Sequence, residues 1–204
     1  MSRQTNSPMV KKLCAQLESR CGRKTARKIL IFAQARWLEL CSTNNSYPEA
    51  FRRHTRRNIF PSAAVFEGLL KEGYGRKEAA DLVYEAFGSC MESSARTIRT
   101  LLKIPGLYKA MPRIWKKAVP SLFGADAGFS ANYYDTGKDR VKFDMLKCPY
   151  LETCKKLGCP ELAPTFCHSD DVAYGNMHSK LRWNRTKTLA RGGDLCDFDL
   201  IAEK

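Results

Sequence analysis

The spacing of apolar residues changes along the chain and divides it into two regions. Before Gly124, apolar residues recur every three or four positions, which is the period of an amphipathic helix. After Gly124, short runs alternate between apolar and polar positions, as they do in strands with one buried face. The pattern predicts an α+β fold in a single domain, with a mainly helical region over 1–124 and a sheet-containing region over 125–204.

Glycine and proline residues separate the expected helices of the first region. Each segment between them carries one apolar stripe, and such a stripe most simply packs in a core. Pro112 is expected to kink or divide the last helix. The predicted helices cover 24–41, 61–72, 79–87, 91–104 and 107–119.

Alternating runs in the second region predict two β-hairpins. They join 129–134 with 141–145, and 181–189 with 195–201. A turn is expected at Gly192-Gly193 in the second hairpin. Helical spacing returns between the hairpins, over 150–157 and over 160–177 with an interruption near Pro164. We therefore expect an antiparallel sheet that carries helices on one face.

The composition is that of an ordinary globular protein. Of its 204 residues, 44% are hydrophobic and 27% are charged. No apolar run is long enough to span a bilayer, which takes about 18 residues or more. The first thirty residues are polar and basic and lack the apolar segment of a secretory signal. These features predict a cytoplasmic protein.

The nine cysteines are expected to be reduced thiols, because an odd number in a chain of this size does not indicate a disulfide framework. None of them forms a Cys-x-x-Cys pair, so a zinc ribbon is weakly supported. Cys148, Cys167 and Cys196 could still hold zinc or iron together with Asp170 if the fold brings them together. We predict no metal and no other cofactor, with Cys148 and Cys196 as buried structural thiols.

Positive charge is concentrated in the helical region. The formal net charge of the chain is +14, and residues 1–127 contribute 23 basic against 10 acidic side chains, or +13. A nucleic acid, an anionic membrane surface or an anionic substrate could each use this field. A solvated basic surface without a partner is the simpler interpretation. The sequence indicates no oligomeric state.

Five short motifs occur in order in the second region. They are Cys148-Pro149-Tyr150, Leu157-Gly158-Cys159-Pro160-Glu161-Leu162, Cys167-His168-Ser169-Asp170, Arg185-Thr186-Lys187-Thr188 and Gly193-Asp194-Leu195-Cys196-Asp197-Phe198. Over about residues 140–201 the chain resembles the L-2-amino-thiazoline-4-carboxylic acid hydrolase family. The resemblance implies a hydrolase that cleaves a C–N or C–S bond of a small cyclic amidine or amide, such as 2-aminothiazoline-4-carboxylate.

Cys167 and Asp170 are the candidate catalytic residues. They are three positions apart, so on a helix they share one face. A carboxylate matches the edge of an amidinium as it matches arginine, and Cys167 or a nearby water would attack the amidine carbon. Because the carboxylate disfavours a thiolate, a cation is needed beside Cys167. His168, Arg182 or Arg185 could supply it.

Arg185, Arg182 and Thr188 are the candidate substrate-binding residues, and an arginine would pair with a substrate carboxylate. Two simpler interpretations stay open. Asp170 could cap a helix that begins at Asp171, and Arg185 could lie on the solvated face of a strand.

A non-catalytic function is the main alternative. The closing segment from Thr188 to Phe198 also resembles 4-vinyl reductase-type and TRAPP-type domains, which hold a small molecule or a lipid. Those domains need no Cys-x-x-Asp pair, so this pair distinguishes the two functions. Binding of a polyanion by the basic helices is a third possibility, although no nucleic-acid motif is present.

Overall fold

A computed structural model describes residues 6–203 and confirms the α+β fold. The helices are α1 (Pro8–Thr43), α2 (Glu49–His54), α3 (Phe60–Lys71), α4 (Arg76–Leu101), α5 (Met111–Leu122), α6 (Pro149–Lys156) and α7 (Ala163–Tyr174), and a π-helical turn (Thr55–Ile59) joins α2 to α3. Short 3₁₀ turns occur at Leu107–Ala110, Ala125–Ala127, Pro160–Leu162 and Leu189–Arg191. The strands are β1 (Ser130–Tyr133), β2 (Arg140–Lys147), β3 (Leu181–Asn184) and β4 (Cys196–Ala202).

Helix α1 is longer than predicted and is broken at Gly22. The backbone of Gly22 has φ 78° and ψ 154°, a conformation that a residue with a side chain rarely adopts. Ser7 caps the first half by accepting a hydrogen bond from the Val10 amide at 3.3 Å. Both halves contribute buried side chains to the helical core, including Leu13 before the break and Ile29 after it.

Residues 49–59 are helical, although no helix was predicted there. Helix α2 runs through the π-helical turn directly into α3. A side chain from α1 stabilises this turn, because Trp37 Nε1 donates a 3.0 Å hydrogen bond to the Arg56 carbonyl oxygen. A π turn holds more residues than an α turn and so redirects the side chains around it. One of them, Asn58, lines the cavity described below.

Helix α4 is continuous where the spacing predicted two helices, over 79–87 and 91–104. Gly88 does not break it and instead allows close packing against α7. A Cβ atom at Gly88 would lie 2.9 Å from His168 Nε2, which is closer than real contacts allow. Pro112 falls in the first turn of α5, so the predicted division is present as the 3₁₀ turn that precedes this helix.

The four strands form one antiparallel sheet in the order β1-β2-β4-β3. Both predicted hairpins are present, and β4 pairs with β2 to join them. Strand β3 ends at Asn184, short of the predicted 189. Asp197 accepts hydrogen bonds from the amides of Thr186 (2.9 Å) and Lys187 (2.6 Å), which fix the chain after β3 in a loop. Arg185 therefore follows the strand and does not lie on it.

The buried side chains form two clusters. One is built from α1, α3, α4, α6 and α7, and the other from the sheet, α5 and the segments beside them. Tyr150 of α6 packs against both clusters. The candidate site lies between them. Within the described part of the chain, no helix combines the length and apolar character that crossing a bilayer requires.

Candidate functional site

A cavity of about 280 Å³ separates the helical cluster from the sheet. Its wall is dominated by aromatic side chains, which are Phe87, Trp115, Phe123, Phe129, Phe143, Tyr150, Phe166, Tyr174, Trp183 and Phe198. Most of the rings pack edge to face or tilted against one another, as Trp115 and Trp183 do at a centroid distance of 5.4 Å, whereas Phe143 and Phe198 stack at 4.8 Å. A concave, mostly apolar wall with few polar groups is typical of a small-molecule site.

Arg185 connects the loop after β3 to helix α7. Its side chain is only 2% exposed, and its guanidinium donates hydrogen bonds to Asp170 Oδ2 (3.0 Å), Asp171 Oδ1 (2.6 Å) and the Cys167 carbonyl oxygen (2.6 Å). The ring of Phe198 lies 5.3 Å from the guanidinium carbon. A buried guanidinium is stable only with such partners, so Arg185 fixes the position of both carboxylates.

Asp170 presents its carboxylate to the cavity. It lies inside helix α7, so it does not cap a helix that begins at Asp171. Burial raises the pKa of Asp170 to about 6, and this rise is opposed by Arg185 and reinforced by Asp171. About a third of the side chain is accessible (36%), and this part faces the cavity. Asp170 is therefore ionised at neutral pH but close to its pKa.

Cys167 also lines the cavity, one helical turn before Asp170. Burial raises the pKa of its thiol to about 11, although Arg185 and the Thr188 hydroxyl lower it. Arg185 is thus the cation expected beside Cys167, but it does not offset the burial. At neutral pH Cys167 is a thiol, not a thiolate.

Cys148 and Cys196 complete a group of three thiols on the cavity wall. Burial raises the pKa of Cys148 to about 12 and also raises the pKa of Cys196. The sulfur of Cys196 accepts a hydrogen bond from the Leu189 amide at 3.2 Å. Both behave as protonated, weakly polar wall residues.

No group of three or more His, Cys, Asp or Glu side chains among residues 6–203 is arranged to hold a metal ion. The three thiols and Asp170 share one cavity, but they do not form such a group.

A hydrogen-bond network reaches the cavity from the helical side. Asn58 Nδ2 donates to the Tyr150 hydroxyl at 2.9 Å, and that hydroxyl lies 3.0 Å from His54 Nδ1. His54 Nε2 lies 2.9 Å from the Leu122 carbonyl oxygen, which can only accept, so Nε2 carries the proton. Burial lowers the pKa of His54 and keeps the ring neutral. The Tyr150 hydroxyl therefore donates to Nδ1, and burial raises its own pKa.

The structure does not bring every candidate residue to the cavity. Arg182 is 56% exposed, lies 3.5 Å from Glu203, and pairs in register with Ile201 on the face of the sheet that points away from the cavity. Thr188 is buried behind Cys167 and is not part of the wall. His168 stacks on Tyr84 at 4.2 Å, outside the cavity.

A family model described as L-2-amino-thiazoline-4-carboxylic acid hydrolase matches residues 52–200. The chain belongs to this family. The match begins in α2, so the family region is longer than the 140–201 inferred from motifs and includes most of the helices around the cavity. A search of curated proteins found none that matches this chain.

Sequence reasoning missed Asn58 and His54, which lie in the family region but outside the recognised motifs. No predicted helix and no motif covered their segment. The family match from residue 52 is a signal that could have drawn attention to them. The Asp171 carboxylate was also given no role, yet it holds Arg185 together with Asp170.

Proposed function

We propose that this chain is a hydrolase that opens a C–N or C–S bond of a small cyclic amidine in the aromatic cavity, with Asp170 as the catalytic carboxylate. One observation carries the proposal. Asp170 faces a partly enclosed cavity, is oriented by the buried Arg185, and has a pKa of about 6. A group with a pKa near the working pH can accept a proton and later return it.

The chemistry needs one water molecule and one shuttled proton. The Asp170 carboxylate takes a proton from water while the water oxygen bonds to the amidine carbon. In the resulting tetrahedral intermediate, the bond from this carbon to the ring sulfur or ring nitrogen breaks. Asp170 then returns its proton to the departing atom, so the ring opens with net addition of one water molecule. Before attack, the carboxylate orients the substrate by pairing with its amidinium edge.

Water is a better nucleophile here than the Cys167 thiol. With a pKa of about 11, only about one Cys167 in 10⁴ is a thiolate at pH 7. The catalytic cysteine considered from the sequence is therefore assigned to the cavity wall in this proposal. It lies one helical turn before Asp170 on the same wall, so it shapes the cavity beside the carboxylate.

The Asp170→Asn variant tests this assignment. The rate of product formation from 2-aminothiazoline and from 2-aminothiazoline-4-carboxylate measures hydrolysis. Removing the base should lower kcat/KM about 10²-fold or more. Asp194→Asn, the same change on an exposed loop residue, should leave the rate unchanged. Cys167→Ala should retain most of the activity. Wild-type rates in Asp170→Asn, or loss of activity in Cys167→Ala alone, would contradict the proposal.

A non-catalytic binding module is the second candidate, and the composition of the cavity wall favours it. Ten aromatic rings and three protonated thiols surround a single free carboxylate edge, which suits retention of an apolar ligand as well as its hydrolysis. Saturable binding of an amidine without turnover under any condition tested would support this candidate over the hydrolase.

A further inference from the structure

The charged side chains at the cavity carry a net negative charge. Of the described residues that line the cavity, Asp170 and Arg185 are the charged ones. Arg185 is shared between Asp170 and Asp171, so one guanidinium faces two carboxylates. The charges of this group sum to −1 when both carboxylates are ionised. An anionic ligand therefore meets repulsion at the only charged part of the wall that the structure describes.

Arg185 is not available to bind a ligand. Its side chain is 2% exposed, and one of its terminal nitrogens serves both Asp171 and the Cys167 carbonyl oxygen while the other serves Asp170. Releasing it toward a ligand would leave a carboxylate without its partner in a poorly solvated place, which is costly. The arginine that the sequence suggested for a substrate carboxylate is already committed to the protein.

Asp170, unlike Asp171, keeps part of its carboxylate available to a ligand. The Trp183 indole and Arg185 both donate to Asp171 Oδ1, whereas Asp170 receives its contact from Arg185 on Oδ2 and faces the cavity. Asp170 can thus accept further hydrogen bonds from a ligand. Aromatic rings attract a cation placed over their faces, as Trp183 and Phe198 do the Arg185 guanidinium at 5.7 and 5.3 Å.

We propose that the cavity selects ligands that join an apolar body to one amidinium or ammonium group, and that it disfavours ligands bearing a carboxylate. The inference rests on the proposed function for the choice of the amidinium, but the selectivity itself requires no turnover. It narrows the substrate class, because 2-aminothiazoline-4-carboxylate carries the group that the cavity disfavours.

The cavity has room for a ligand of this kind. An apolar cavity of about 150 Å³ is enough to hold benzene. The volume here is about 280 Å³, so a six-membered ring with a charged substituent fits with room to spare.

Three probes of nearly the same shape test the inference on the full chain. They are benzamidine, benzamide and benzoate, which are positive, neutral and negative at pH 7.5. Trp115 and Trp183 line the cavity, so a change in tryptophan fluorescence reports binding without activity, and calorimetry gives an independent Kd. We expect benzamidine to bind at least tenfold more tightly than benzamide, and benzoate to bind most weakly.

The Asp170→Asn variant should bind benzamidine and benzamide within about threefold of each other, while Asp194→Asn should keep the wild-type order. Circular dichroism checks that each variant is folded. The order of the three affinities in the wild-type protein tests the inference even if a variant does not fold. Benzoate binding as tightly as benzamidine, or no binding of any probe at millimolar concentration, would overturn the inference.

A comparison of two substrates separates this inference from the proposed function. The structure predicts a higher kcat/KM for 2-aminothiazoline than for its 4-carboxylate. Faster hydrolysis of the carboxylate would overturn the selectivity and keep the hydrolase. Tight binding of benzamidine without hydrolysis of either compound would overturn the hydrolase and keep the selectivity.

Discussion

The outer surface of this protein and its cavity carry charge of opposite sign. The chain has a net charge of +14, most of it on the helical region, whereas the charged group at the cavity is negative overall. Exposed charges are screened by solvent and salt within about 10 Å, while a carboxylate inside an aromatic cavity acts on a ligand at contact. The net charge of the chain therefore does not give the sign of the charge at the cavity wall.

Replacing Arg185 is the largest expected disruption of the cavity. Arg185→Met should lower the free energy of unfolding by about 3 kcal/mol, because Asp170 and Asp171 lose the buried cation between them. Arg182→Met removes an exposed pair on the opposite face of the sheet and should cost less than about 1 kcal/mol. Urea unfolding of both variants measures the difference. Equal losses would mean that the cavity charges do not stabilise the fold more than surface charges do.

Removal of the Tyr150 hydroxyl should have the next largest effect. Tyr150→Phe leaves Asn58 Nδ2 and His54 Nδ1 without a partner at a buried place, which costs about 2 kcal/mol. Tyr134→Phe, in which an exposed hydroxyl loses a contact with Asp144, is the matched control and should change little. Thermal or urea unfolding at pH 7.5 tests the pair. A stable Tyr150→Phe variant would show that the network contributes little to folding.

The pH dependence of activity should follow Asp170. Its pKa is raised to about 6, and the proposed base works only when ionised, so kcat/KM should fall as pH decreases through 6. At pH 5 about one molecule in ten keeps the ionised base, which predicts a rate about tenfold below the plateau. The thiol of Cys167 stays protonated throughout, because its pKa is raised to about 11. A rate that rises only above pH 9 would instead indicate a thiolate nucleophile.

Substitution on the basic surface should have the smallest effect on the cavity. Arg23, Lys24 and Arg27 are exposed on α1, and changing all three to Gln lowers the net charge without touching the cavity wall. Binding of benzamidine at 0.15 M salt should change less than twofold, since exposed charges outside the cavity wall are largely screened at that ionic strength. A larger change would mean that the field of the helices reaches the ligand.

The sequence predicted the parts of this fold that depend on neighbouring residues. The Cys-x-x-Asp spacing put Cys167 and Asp170 on one face of a helix, and both line the cavity. Local patterns failed where a distant side chain decided the conformation. Asp197 ends the pairing of β3 early by binding the Thr186 amide, and the turn before α3 is braced by Trp37, so Asn58 was not recognised.

By itself, the sequence determined the helix and strand periods, the family motifs and the identity of the candidate carboxylate, because each of these depends on residues a few positions apart. Only the tertiary structure decided that Arg185 is committed to Asp170, 15 positions away, and that Asn58 meets Tyr150 across 92 positions. It also decided that Cys167 is a thiol and that Asp170 has a pKa near 6. The charge state of a side chain and its availability to a ligand depend on burial and on contacts between distant segments. A local sequence pattern contains no information on either.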